Sequence, residues 1–229
     1  MVKIGIIGAM EEEIHLLIKK MHKNNTKIIN NFNFYICDLK DIQVIITKCG
    51  IGKVNSAVGT QLLISNFSPD YIINTGVAGG ISKDVNVLDI IIASETIQYD
   101  VDVRSFGYKL GQIPQMEEYI FKTDSKLKNF VEESLSSKDK YKIGRIISGD
   151  KFVSKKSTKT FLEKEFNALC VDMESGSIGQ VCYLNKVPYI AIRSISDNAD
   201  ESSTINYEEF EKKAAKKSAE LIMKTINKI

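Results

Sequence analysis

The residues of this chain best suited to chemistry are carboxylates and hydroxyls placed at the ends of apolar runs. Glu11, Glu12 and Glu13 follow directly on an apolar stretch and a Gly8-Ala9-Met10 turn. In α/β proteins the end of the first strand is where backbone N–H groups often cradle phosphate. Three carboxylates there repel phosphate and suit proton acceptance or the holding of neutral hydroxyls. Glu11 and Glu12 can simply favour a helix N-terminus through its dipole. One member of the run can face a crevice, and spacing alone does not say which. A second acidic group, Asp172-Met173-Glu174, precedes a run of small residues, Ser175, Gly176, Ser177 and Gly179. A carboxylate there either starts a helix or accepts from both vicinal hydroxyls of a sugar. The third group is Arg193-Ser194-Ile195-Ser196-Asp197-Asn198-Ala199-Asp200. Asp197 is either a turn former or a partly buried acid whose raised pKa lets it donate a proton.

These groups need a scaffold, and the hydrophobic pattern supplies alternating strands and helices. Residues 2–7 read as a strand buried on both faces. A helix follows, with Ile14, Leu17, Ile18 and Met21 on one stripe. Residues 32–39 and 42–48 read as a hairpin turning at Lys40-Asp41. Gly50-Ile51-Gly52 precedes a second helix with Val54, Ala57, Val58, Gln61 and Leu62 on one side. Strands are expected at 71–75, 88–98, 141–148 and 187–195, and a helix at 124–135 with Leu127, Phe130 and Val131 inward. The last helix is expected to begin near Asn206 with a capping-box-like Glu209. It carries Phe210, Ala214, Leu221 and Thr225, with Glu208–Lys212 and Glu209–Lys213 as i,i+4 pairs. A loop over 99–119 is long enough to have a functional or interfacial use. The glycines of Asn74-Thr75-Gly76-Val77-Ala78-Gly79-Gly80 serve a structural turn or a ligand contact. They form neither a dinucleotide fingerprint nor a P-loop, and the segment around Gly52-Lys53 fails the P-loop pattern too. The expected architecture is α/β: a three-layer domain over 1–229 with a mixed central sheet flanked by helices. Four strand ends, at 8–13, 74–80, 171–174 and 193–200, are expected to converge on one crevice.

Composition narrows the function. The chain has 229 residues, and 31 basic against 29 acidic residues leave a net charge of +2. This balance gives no electrostatic reason for a nucleic-acid or anionic-membrane partner. No apolar run approaches the roughly 18 residues of a membrane span, and the N-terminal one is too short for a signal-peptide core; a cytoplasmic location is expected. Cys37, Cys49, Cys170 and Cys182 are widely spaced and read as buried free thiols. With His15 and His22 as the only histidines, both placed on the first helix, acid–base work falls to carboxylates.

Taken together, the segments resemble the 5'-methylthioadenosine/S-adenosylhomocysteine nucleosidase family of the nucleoside phosphorylase superfamily. The resemblance is carried by Ile4-Gly5-Ile6-Ile7-Gly8-Ala9-Met10-Glu11-Glu12-Glu13, Gly50-Ile51-Gly52-Lys53, Asn74-Thr75-Gly76 and Ala78-Gly79-Gly80. It continues through Asp102-Val103, Phe106-Gly107-Tyr108, Ser148-Gly149-Asp150 with Phe152, Met173-Glu174, and Arg193 with Ile195-Ser196-Asp197. It implies a homodimer that hydrolyses the N-glycosidic bond of 5'-thio-substituted adenosines, with no metal or organic cofactor. Residue by residue, it implies Glu13 as the base that activates water and Asp197 as the acid that protonates adenine N7. Glu174 would hold the ribose hydroxyls above Met173. Phe152 would stack on adenine and the Val153 backbone would read its edge. Ser196 would support Asp197, Arg193 would help order the water, and Gly79 would form a wall. Met10, Ile51 and Tyr207 would line the 5'-thio pocket, and Val103, Phe106 and Pro114 would close it from the partner subunit. Val77 departs from the family pattern, where a hydroxyl residue is common beside the water; a lower turnover is expected. Tyr207 adds a phenol hydroxyl to an aromatic wall.

Three other readings compete. A phosphorylase of the same superfamily would need a basic phosphate site where this chain is acidic. A non-catalytic nucleoside-binding protein would not need both Glu13 and Asp197. A futalosine-type hydrolase would differ mainly in the 5' pocket, here expected to be apolar.

Overall fold

The computed structural model describes residues 1–21, 23–39 and 41–229. His22, expected on the first helix, and Lys40, expected in the hairpin turn, lie outside the described residues. The strands are β1 (Val2–Gly8), β2 (Asn25–Ile29), β3 (Phe32–Leu39), β4 (Ile42–Lys48), β5 (Tyr71–Gly80), β6 (Ile90–Gln98), β7 (Phe121–Lys122), β8 (Tyr141–Ser148), β9 (Cys170–Asp172) and β10 (Tyr189–Asp197). The helices are α1 (Glu11–Lys20), α2 (Lys53–Phe67), α3 (Ser125–Ser134), α4 (Lys156–Phe166), α5 (Ser175–Asn185) and α6 (Ser203–Ile226).

The mixed sheet runs in the order β10-β6-β8-β9-β5-β1-β4-β3-β2, with β7 on β6. Strand β10 also pairs with β5, so β5, β10, β6, β8 and β9 close on themselves. Alternation along the strands sends apolar side chains to both faces. Ile4, Ile6, Ile190 and Ile192 pack with residues of α1, α3 and α6, while Ile7, Ile45, Ile72 and Ala191 pack with residues of α2 and α5. This is the expected mixed sheet between two helical layers. A third cluster, including Leu162 and Phe166 of α4 with Ile97, Ile147 and Val153, supports the site's wall. All four cysteines are buried free thiols.

Several sequence expectations shift. Strand β5 continues through the glycine cluster to Gly80, so that segment is not a structural turn. The α2 stripe is turned around: Ser56, Gly59, Thr60 and Leu63 are buried, whereas Val54 and Val58 are exposed. Small residues let the helix backbone come close; a Cβ on Gly59 would sit 2.7 Å from Cys49 Cβ, and Ser56 Oγ lies 2.5 Å from Ser177 Oγ of α5. Helix α6 begins at Ser203 rather than near Asn206, so Glu209 forms no capping box. Instead the Asp200 N–H donates to Ser203 Oγ at 2.6 Å. Among the described residues, neither Glu208–Lys212 nor Glu209–Lys213 approaches within ion-pair distance; the exposed pair on this helix is Lys216–Glu220. Helix α4 and the edge strand β2 carry no strong sequence signal. One buries only Leu162 and Phe166; the other is half exposed along its length.

Candidate active site

Helix α1 positions the first carboxylate. Glu11 and Glu12 are exposed, whereas Glu13 is 3% exposed and points back across the turn. Its Oε2 accepts from the Ala9 N–H at 2.6 Å and the Met10 N–H at 3.0 Å, and its Oε1 accepts from the Val77 N–H at 3.0 Å. The N–H groups that would cradle a phosphate at this helix start are thus filled by the chain's own carboxylate. Burial raises the Glu13 pKa, opposed by Arg193 and the three N–H donors.

Strand β5 makes room for this group. A Cβ on Gly76 would lie 2.5 Å from Glu13 Oε1 and 3.4 Å from Arg193 Cζ. Behind Gly76, Arg193 is fully buried; its Nε donates to Asp172 Oδ2 at 2.8 Å and its Nη2 to Asn74 Oδ1 at 2.5 Å. Asp172 also accepts from Ser148 Oγ, from Ser175 Oγ and from the N–H groups of Glu174 and Ser175. A buried ion pair survives only when its remaining polar atoms are satisfied in this way. Arg193 therefore stands as a fixed cation behind the cavity, not in its lining.

Asp197 closes β10. The β5–β10 register slips between Ile195 and Asp197, a bulge that re-aims the last side chain toward the crevice. Asp197 Oδ1 accepts from the Ala199 N–H at 2.8 Å and Oδ2 from Ser196 Oγ at 2.9 Å. Ala199 itself sits in the left-handed region, at φ +52°. Burial raises the Asp197 pKa, partly countered by these donors. Glu174, at the start of α5, accepts from the Gly52 N–H at 2.9 Å. Burial, then Asp172 and Glu13, push its pKa up to about 8.

These carboxylates border one cavity of about 530 Å³. Of the residues singled out in the sequence, Met10, Glu13, Ile51, Val77, Gly79, Phe152, Val153, Met173, Glu174, Ser196, Asp197 and Tyr207 line it. Phe152 and Tyr207 meet edge to face at 5.9 Å, and the Tyr207 hydroxyl lies 3.2 Å from Met10 Sδ. Val103, Phe106 and Pro114 do not line this chain's cavity, and Phe106 is 80% exposed. Lys151 and Thr204 line it without having been singled out, and so does Glu208, expected only as a surface partner of Lys212. Thr204, Tyr207 and Glu208 share one face of α6 at i, i+3 and i+4. That face becomes visible once the helix is known to start at Ser203.

A protein-family model described as Phosphorylase superfamily matches residues 3–227. A 5'-methylthioadenosine/S-adenosylhomocysteine nucleosidase of Staphylococcus haemolyticus is 42% identical over 221 residues, covering 96% of each chain. The chain belongs to the 5'-methylthioadenosine/S-adenosylhomocysteine nucleosidase family. It is accordingly an N-glycosyl hydrolase. The Helicobacter pylori nucleosidase with bound butyl-thio-DADMe-Immucillin-A has a TM-score of 0.96 at 34% identity, covering 100% of this chain and 99% of that one. A Helicobacter pylori futalosine hydrolase also has a TM-score of 0.96, at 33% identity, covering 100% of this chain and 98% of that one. Fold likeness thus does not separate the two substrate types, and the cavity's chemistry has to.

Proposed function

We propose that the protein hydrolyses the N-glycosidic bond of 5'-methylthioadenosine, S-adenosylhomocysteine and 5'-deoxyadenosine, releasing adenine and the corresponding 5-substituted or 5-deoxy ribose. One observation carries the reading: a single cavity brings together three buried carboxylates of raised pKa, Glu13, Glu174 and Asp197, and the first of them fills the nearest anion-binding turn. Asp197 delivers its proton to adenine N7, which turns a poor leaving group into a good one. Glu13 accepts a proton from water as that water attacks the anomeric carbon. The reacting ribosyl group acquires oxocarbenium character, and nearby negative charge favours it. Two carboxylates in different surroundings divide the acid and base roles near neutral pH.

The remaining roles follow from position. Glu174 accepts from the ribose hydroxyls with Met173 beneath the sugar, and Phe152 stacks on adenine beside the Val153 backbone. Ser196 holds Asp197, and Gly79 gives it space, since a Cβ there would lie 3.0 Å from Asp197 Oδ1. Arg193, behind Glu13, favours its ionised form, and Val77 contributes its backbone N–H although its side chain donates nothing. The 5' substituent lies against Met10, Ile51 and Tyr207, a surface that suits a thioether better than a carboxylated aryl group.

The exposed apolar residues support a homodimer. Val54 and Val58 on α2, Tyr183 and Leu184 on the adjoining α5, and Phe106 in the 99–119 loop are large apolar groups left in water. Such patches mark association surfaces. In this reading Val103, Phe106 and Pro114 close the partner's cavity.

Release of adenine from methylthioadenosine, followed with and without phosphate, tests hydrolysis. Equal rates are expected, and strict phosphate dependence would replace it with phosphorolysis. Measuring kcat/KM on methylthioadenosine and futalosine side by side tests the 5' pocket; a preference for futalosine would overturn the thioether reading.

A further inference from the structure

Helix α2 begins without a cap of its own. Its N-cap, Gly52, has no side chain, and no acid occupies the first turn. Lys53 even places a cation at the helix's positive end. The first N–H groups are taken instead by carboxylates distant in sequence. The Gly52 N–H donates to Glu174, and the Lys53 N–H donates to Asp150 Oδ1 at 2.8 Å. The Lys53 ammonium then lies 2.6 Å from Asp100 Oδ1, and Asp100 Oδ2 accepts from the Asp150 N–H at 3.0 Å. Lys53, Asp100 and Asp150 close a ring of three contacts. Gly52, at φ +95°, is strained for any larger residue, and a Cβ there would come within 3.0 Å of Asp150 Oδ1.

None of the three lines the cavity, yet each is next to something that matters there. Lys53 follows the Gly52 N–H that orients Glu174. Asp150 leads into the segment that carries Phe152 and Val153. Asp100 opens the 99–119 loop. We propose that Lys53, Asp100 and Asp150 form a positioning clamp that holds the ribose-binding carboxylate and the base-stacking wall in register, and so sets nucleoside affinity. The ring acts on binding and not on the proton transfers, because it touches neither Glu13 nor Asp197. The Lys53 and Asp100 side chains are 20% and 29% exposed, so the contact is shielded more than a surface pair.

The kinetic consequences rest on the nucleosidase reading. Lys53→Met and Asp100→Asn are each expected to raise the KM for methylthioadenosine about tenfold, the scale of one charge-assisted hydrogen bond, with kcat and its pH profile held. Combined, they should do no more than either alone, because both break one contact. Lys53→Arg should restore most of the affinity. Amide hydrogen exchange of segments 49–56 and 149–153 needs no activity and separates the two ideas. Both segments should exchange faster in either variant. Unchanged exchange at 149–153, or a loss confined to kcat, would overturn the clamp. A wild-type protein that releases no adenine would sink the nucleosidase reading and leave the exchange result to judge the clamp.

Discussion

Glu13 has taken the place of a bound anion. Three backbone N–H groups surround its carboxylate, and that arrangement makes the amide substitution at this position unlike the one at Asp197. Glu13→Gln presents an NH₂ to N–H donors. We expect it to lower kcat by roughly 10²–10⁴-fold and to lower the melting temperature as well, through an unsatisfied donor worth about 1–3 kcal/mol. Asp197→Asn can turn its NH₂ toward Ser196 Oγ and keep its oxygen on the Ala199 N–H. It should lose a similar factor in kcat with little change in melting temperature. Steady-state kinetics and calorimetry on both variants check this, and full rates in either would remove that residue from the mechanism. Glu174 gives a pH signature. Its folded pKa of about 8 exceeds the ordinary 4.5, so across that window the folded state holds a proton that the unfolded chain has shed. Its contribution is therefore fully present below about pH 4.5 and lost as pH rises toward 8. Without ligand, the melting temperature of the wild type relative to Glu174→Gln should fall steadily from pH 5 to pH 8. A pH-independent difference would contradict the assignment.

At the scale of elements, β5 decides how near α1 comes to β10. Gly76 is where Glu13, Arg193 and the strand backbone meet, and Gly76→Ala would place a methyl group 2.5 Å from Glu13 Oε1. The obstacle is a carboxylate held by three N–H donors, so displacing it breaks at least one of those bonds. We expect activity to fall by about 10²-fold or more and the melting temperature to drop, as for Glu13→Gln. A variant of unchanged kcat would show that Glu13 tolerates displacement. The elements themselves were legible to different degrees. Strands β3, β4 and β8 span 32–39, 42–48 and 141–148, the bounds expected from sequence. The inner face of α2 was not legible: Ser56, Gly59 and Thr60 look polar or neutral in sequence and are buried because they permit close approach. The α6 start was hidden because no side chain caps it: the turn before it is closed by the Asp200 N–H on Ser203 Oγ, upstream of the stronger-looking Asn206 and Glu209.

At the scale of the whole molecule, the patch on α2 and α5 bears on assembly. Val54 is 74% and Val58 45% exposed, and burying such side chains is worth roughly 1.5–3 kcal/mol each. Light scattering on the wild type should give the mass of two chains. Val58→Asp should give that of one, with methylthioadenosine turnover falling alongside if residues from the partner close the cavity. A monomeric wild type, or a monomeric variant of full activity, would rule out the shared-site arrangement. A dimer seam on this patch would account for the turned stripe on α2, because an interface satisfies an apolar helix side as well as a core does.

Local order in the chain was enough to establish the α/β alternation, the acidic turn after the first strand and the family motifs that name Glu13, Glu174 and Asp197. Strand and helix periods, and carboxylates at strand ends, are properties of neighbouring residues and can be read along the chain. Long-range packing alone decided that Glu13 occupies its own N–H cradle, that Arg193 stands behind the cavity locked to Asp172 and Asn74, and that a bulge aims Asp197. Each of these depends on which strands lie side by side and how closely. That closeness rests on missing side chains, at Gly76, Gly79 and Gly59, whose effect appears only where another segment fills the space.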